Sequence, residues 1–294
     1  MTLPFTWRLR RGIPPRDMRR ERIQAVLAAA LNTPFYKRVL DAGAITAARP
    51  LADCGQEEDL LSSLPRTELD CLRIDPKAFR NPEARKVKPH VLFHPLPQAG
   101  RTAVLMPGFK SAPGVKVFQE GSRHHLSRYR PDSIAGPVGA LRRLAEGRED
   151  RRAWVPRLTH LVVAFTIPRQ GFLSEEAREL LWRVFRVPVF CQFLGLDAEL
   201  LAWECEAHEG LHIERDHAVF ESDCRSGEPE LLVTSLVNLR RPVLRLATGL
   251  TAEIECSTCG CGLSGPRLMG LRRRSLEPRM AIGGMTVSSS CAAD

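Results

Sequence analysis

The chain has 294 residues, 44% apolar and 26% charged, a globular composition sized for one large domain or two ordinary ones, which excludes a disordered polymer. No run of eighteen uncharged apolar residues occurs, so no membrane-spanning helix is expected, and Met1–Gly12 carries arginines without the apolar stretch of a secretory signal. The net charge of +9 gathers in two arginine-rich runs, residues 8–22 and Arg272–Arg274; neither interleaves aromatic residues for base stacking, so they read as solvated faces and nucleic acid is not an expected partner.

Nine cysteines, an odd number, fit a reducing compartment better than a disulfide framework, and the cytoplasm is the expected location. In chain order, the first element is a helix over 17–32, where Met18, Ile23, Val26, Leu27, Ala30 and Leu31 recur at helical spacing behind Asp17 as N-cap. Thr33-Pro34 breaks it, and a second helix follows over 35–42, stopped by Gly43. Prolines crowd residues 45–100 and limit that stretch to short elements, one of them a helix near 56–62.

From Arg101 onward the apolar bursts 102–106 and 115–118 read as paired strands, and 137–147 as a helix. A buried strand over 160–166, a helix over 174–185 capped by Ser174, and a strand over 187–193 make a βαβ unit with parallel strands. Shorter strands are expected at 210–213, 218–221, 230–235, 242–247 and 252–255. The organisation expected is therefore a helical hairpin with a Pro-rich segment (1–100), an α/β core (101–200), a small β-rich subdomain (201–275) and a frayed tail (276–294).

Cys256, Cys259 and Cys261 supply three thiols within six positions, with Gly260 and Gly262 allowing a tight turn, and Cys205 and His212 form a second pair upstream. Two short ligand pairs separated by a long insert suit a closed tetrahedral zinc site, so the expected ligands are Cys205, His212, Cys259 and Cys261. His208 and Cys256 stand in reserve, and the alternative is that these are buried small hydrophobes and a surface histidine. With four protein ligands such a metal is structural and leaves no open position for hydrolysis.

Four local patterns then stand in order along the chain. They are Thr33–Arg38 followed by Asp41-Ala42-Gly43; Leu64–Leu69; Glu204-Cys205 through Gly210–Ile213; and Thr248-Gly249 leading into Cys259–Gly262 and Pro266-Arg267. Together they resemble the phenylacetate-CoA ligase-like branch of the adenylate-forming enzymes. The resemblance implies a partial α/β large domain of that family with a zinc-stapled β-rich piece and without the C-terminal lid. It also implies ATP-dependent activation of a carboxylic acid, with Mg2+ and coenzyme A as further ligands.

By that resemblance, Phe193–Glu199 falls at the aromatic-Gly-x-Thr-Glu motif, with its Thr absent, so Gly195 and Asp197 belong to the nucleotide site, Glu199 is the catalytic carboxylate, and Glu199 or Asp197 holds magnesium. Arg272 stands at the hinge before the lid as a nucleotide contact. Other positions depart from the pattern. No Ser/Gly/Thr-rich phosphate loop is present, Lys110–Gly114 being its poor substitute; Leu250 stands where the ribose-binding acid belongs; and the chain stops before the lid and its lysine. The function expected is a carboxylic acid:CoA ligase with reduced or lost adenylation. An active form would take its lid from a partner protein; the alternative is a non-catalytic, zinc-stapled binding or scaffold subunit that takes a small carboxylic acid or nucleotide. Cys191 sits in an apolar strand without an evident base and reads as core rather than nucleophile.

Overall fold

Strand β4 (Val162–Thr166) is apolar almost throughout because both of its faces are covered, as parallel sheets require. Val162 and Ala164 point to one side and Val163, Phe165 and Ile167 to the other, and the two sets join separate hydrophobic clusters. The computed structural model describes residues 16–41, 61–62, 64–84, 88–96, 100–149, 155–168, 170–224 and 228–275.

Five strands form the parallel half of the main sheet: β1 (Thr102–Val104), β2 (Val115–Val117), β3 (Ser133–Pro137), β4 and β5 (Val189–Leu194). The expected βαβ unit is present as β4, a helix over Glu175–Phe185, and β5. Ser174 caps that helix by accepting the Ala177 N–H at 3.3 Å. The segment Val138–Glu149 forms the preceding crossover helix. Both crossover helices press Leu141, Leu144, Leu181, Val184 and Phe185 into the cluster that holds Val162, Ala164, Cys191 and Phe193. Two right-handed crossovers advancing in one direction put both helices on that face.

At β5 the sheet changes character. β6 (Leu200–Glu204), β7 (Leu211–Ile213), β12 (Ser264–Arg273) and β11 (Leu250–Thr258) continue it antiparallel, giving the order β11-β12-β7-β6-β5-β4-β3-β1-β2. β8 (Ala218–Asp223), β9 (Glu230–Ser235) and β10 (Leu246–Ala247) form a separate antiparallel sheet. The segment expected to be one β-rich subdomain is thus divided: two stretches extend the core sheet and the middle builds a second one. Of the strand expected over 242–247 only two residues pair, because Val243 and Leu244 enter the core as loop residues.

Helix α1 (Arg16–Leu31) buries Ile23, Val26 and Ala30, while Met18 and Leu31, counted in the expected stripe, are exposed at 38% and 42%. Asp17 lies inside the first turn rather than ahead of it. Arg19 and Arg22 of the basic run donate to the carbonyls of Arg215 and Asp216, so they fix α1 to the turn before β8. Helix α2 (Pro34–Asp41) carries the fully buried Tyr36, whose ring meets Phe35 and Phe79. The expected stop at Gly43, most of the helix near 56–62, the arginines before residue 16 and the tail after 275 lie outside the described residues.

Tyr36 joins two of the local sequence patterns to the second sheet. Its Oη lies 2.8 Å from Thr67 Oγ1 and accepts the Leu244 N–H at 2.7 Å. Thr67 in turn donates its N–H to Arg245 O and accepts from Ala247 N–H. Burial drives the phenol up to about 12, so it remains a neutral donor and acceptor. Removing its oxygen orphans a buried N–H. Tyr36→Phe is therefore expected to lower stability by about 1–3 kcal/mol, read as a shifted denaturant midpoint with unchanged slope.

Candidate functional site

The Cys/His residues singled out by their spacing converge in space. Cys205 follows the end of β6, His212 sits on β7, and Cys259 and Cys261 occupy the turn between β11 and β12. One ligand atom from each lies within 4.8 Å of the other three. Cys205 Sγ is 3.6 Å from Cys259 Sγ and 3.3 Å from His212 Nε2, and His212 Nε2 is 3.5 Å from Cys261 Sγ. A tetrahedral zinc with its usual bond lengths has S···S edges of about 3.8 Å and S···N edges of about 3.5 Å. The spacing fits that polyhedron and is far too long for a disulfide.

The local backbone explains the convergence. His208 N–H bonds Cys205 O, and Gly210 has φ +83 in the turn that brings β7 back beside β6. A Cβ at Gly210 would meet Leu268 O at 2.6 Å, so the approach of β12 requires glycine there. Cys259 and Leu263 close the second turn by a backbone hydrogen bond, with Gly262 N–H on Cys259 O. Trp203 and Phe93 cover the cluster, the Trp203 ring 5.1 Å from His212. Burial raises both the Cys205 and Cys261 thiols and lowers His212, so a metal must displace protons from the sulfurs while the imidazole is ready to ligate.

The reserve ligands lie elsewhere. Cys256 is exposed on β11 opposite Pro266, and His208 turns its Nδ1 to Glu204 at 3.0 Å while stacking on Phe190. Glu204, only 4% exposed, also receives Arg178 at 2.9 and 3.1 Å and the Cys191 N–H at 2.7 Å. That carboxylate joins the crossover helix, β5 and the turn after Cys205. Burial pushes the Cys191 thiol up to about 12, with Glu204 adding to the shift, so it stays a protonated core group.

The other predicted residues form a turn at the opposite end of β6. Six residues of extended chain separate Glu199 from Cys205, roughly 20 Å at strand rise. Gly195 N–H bonds Glu199 O, while Glu199 Oε2 accepts Asp197 N–H at 2.9 Å and Oε1 accepts Asn238 Nδ2 at 3.1 Å. Asp197 is held by Asn238 at 2.8 Å and by an ion pair with Arg241. Asn238 and Arg241 belong to a loop that carried no recognisable motif. Glu199 is 2% exposed, and Ala198 adopts a left-handed φ of +72 to complete the turn.

Arg272 is not near this turn. It lies on β12 opposite Thr251, pairs with Glu228 and is exposed. Leu250 is buried in the main core at the start of β11. In Lys110–Gly114 the Lys110 N–H bonds His90 O and the Ala112 N–H bonds Val115 O, so these amides are spent within the fold. Gly195, Asp197 and Glu199 are brought together; Arg272 and the phosphate-loop substitute are not.

No known family model matches the sequence, and no curated protein matches it. Solved structures of 2-hydroxyisobutyryl-CoA ligase do match. The open form, in complex with 2-HIB-AMP and CoA, has TM-score 0.59 and 16% identity, covering 87% of this chain and 69% of the ligase. The postadenylation form with R3-HIB-AMP gives 0.61 and 15% over 87% and 67%, and the thioesterification form with 2-HIB-AMP and CoA gives 0.59 and 15% over 92% and 69%. The fold is that of an acid:CoA ligase.

On this ligase fold the turn 195–199 occupies the carboxyl edge of the parallel strands, where open α/β sheets bind their ligands. The Cys/His cluster stands at the other edge of the sheet. Gly195 is packed so closely on Glu199 that a Cβ would meet its carboxyl carbon at 2.3 Å. That side chain is bonded on both oxygens and cannot swing aside. Gly195→Ala is therefore expected to lower stability by about 1–3 kcal/mol, measured by thermal or denaturant unfolding.

Proposed function

We propose that this chain is a phenylacetate-CoA ligase-like protein of the adenylate-forming type whose adenylation activity is reduced or lost. In this reading it acts as a zinc-stapled binding or scaffold subunit for a small carboxylic acid or nucleotide. The observation that carries the proposal is the internally satisfied acid turn. Asp197 and Glu199, the candidates for magnesium, have their oxygens engaged by Asn238, Arg241 and the Asp197 N–H. Opening the turn to a cation would strand a buried amide and an arginine.

Two further features support it. The position expected to grip ribose is the buried Leu250, and Arg272 is committed to Glu228. The likeness to a ligase whose structures hold 2-HIB-AMP and CoA supports an acyl- or nucleotide-binding role, since open α/β sheets bind ligands at the carboxyl ends of their strands. An active enzyme using ATP, Mg2+ and CoA would require that the turn rearrange to free Asp197 and Glu199.

The test is pyrophosphate release with ATP, Mg2+ and a panel of aromatic and short aliphatic acids, run beside thermal melts with each ligand. The expected outcome is no turnover but a raised melting temperature with an acid or nucleotide. Steady pyrophosphate release would overturn the loss of adenylation, and absence of any thermal shift would sink the binding role.

For the metal, elemental analysis of the purified chain is expected to give one zinc per chain, held by Cys205, His212, Cys259 and Cys261. Cys205→Ser should lose it, and chelation should lower the melting temperature. Zinc uptake by the stripped protein should release protons, because burial keeps the thiols protonated without metal. Less than half an equivalent of zinc, with a melting temperature indifferent to chelator, would remove the metal from the account.

A further inference from the structure

Arg267 lies beside the Cys/His cluster and is 3% exposed, which is unusual for a permanently charged side chain. It pairs directly with His212 across β12 and β7, and the same register places Trp203 on the far side of His212 and Glu255 on the far side of Arg267. Directly opposed residues of antiparallel strands project from the same face within about 5.5 Å at Cβ. The guanidinium therefore rises from the sheet next to the His212 imidazole.

Its partners within the protein are incomplete. One terminal nitrogen donates to Glu209 O at 2.7 Å and approaches Glu209 Oε2 at 3.3 Å; the other donates to Ser257 Oγ at 2.7 Å and lies 3.7 Å from Glu255. Both carboxylates are half-exposed, so water screens them. Among the described residues, the buried Arg267 Nε has no hydrogen-bond partner. Glu209 reaches from the same arginine to the N–H of Gly260, the residue between Cys259 and Cys261. A cation and a carboxylate thus lead directly to the turn that carries two of the sulfurs.

A zinc ion with three thiolates and a neutral imidazole carries one net negative charge, and a buried net charge demands compensation. We propose that Arg267 is the charge-compensating outer-shell residue of this centre and that Glu209 tempers it, so that the pair sets the nucleophilicity of the zinc-bound sulfurs and the tightness with which the metal is kept. The proposal rests on the zinc reading of the cluster. Arg267 lowers the electron density available on the thiolates; Glu209 returns part of it while orienting the Gly260 amide.

The experiment uses the full chain, first assayed for zinc by elemental analysis. Zinc-loaded protein is then treated with iodoacetamide, and metal release is followed with a chromophoric chelator, so that thiols outside the centre do not contribute. Arg267→Gln is expected to release zinc at least about tenfold faster than wild type, and Arg267→Lys, which keeps the charge but not the fork, to restore most of the protection. Glu209→Gln, which still accepts the Gly260 N–H, is expected to release zinc more slowly than wild type.

Equal rates for wild type and Arg267→Gln overturn the proposal, and so does an Arg267→Lys variant as fast as Arg267→Gln, since that marks a purely steric strap. Should Arg267→Gln fail to fold, Glu209→Gln decides: slower release supports the proposal and equal or faster release overturns it. Wild-type protein without zinc overturns both this proposal and the zinc reading, and the initial metal assay separates that result from the others.

Discussion

The buried carboxylate of Glu204 is the joint on which the two halves of the main sheet depend. It stands where a parallel α/β unit meets an antiparallel extension, and it bonds a helix, a strand and a turn at once: Arg178, the Cys191 N–H and His208. A buried charge with fewer partners would cost more than it returns. With these partners it fixes the end of β6, and therefore the point at which Cys205 leaves the strand. The orientation of Cys205 follows from an ion pair made one residue earlier.

The two ends of β6 have different chemistry for the same reason. One end carries a carboxylate turn whose oxygens accept from Asn238 and pair with Arg241, and the other carries the Cys/His cluster beside Trp203. Because a strand is stiff and extended, neither group can reach the other. The fold keeps a ligase-like sheet while its acidic edge is closed by internal pairing.

Much of this was legible in the sequence, and the failures have specific causes. The βαβ unit was plain because 160–193 alternates a doubly buried strand, an amphipathic helix and another buried strand. The convergence of Cys205, His212, Cys259 and Cys261 was legible because their spacing groups them into two short pairs, although His208 and Cys256 stood in reserve. The strand β12 was hidden by Gly265, Pro266, Gly270 and the arginines after it, which read as turn and hinge; pairing with β11 and β7 overrides those local signals. The short strand β6 went unexpected because Leu200–Glu204 falls between the motif ending at Glu199 and the pattern beginning at Glu204. Arg267, Glu209, Asn238 and Arg241 were illegible because their roles come from partners far away in sequence, and no local pattern records such a pairing. The expected single β-rich subdomain divided between two sheets because strand membership is a long-range choice that periodicity does not encode.

The Tyr36 contact has a consequence for how the chain is made. Its hydrogen bond to Leu244 spans 208 residues, and Arg19 reaches a carbonyl 196 residues later. At ordinary translation speeds the ribosome needs roughly 10–40 s to make that much chain. For that interval the first two helices emerge without the surfaces they will cover, with Ile23, Val26 and Tyr36 unburied. Helices α1 and α2 are thus among the last of the described elements to lock.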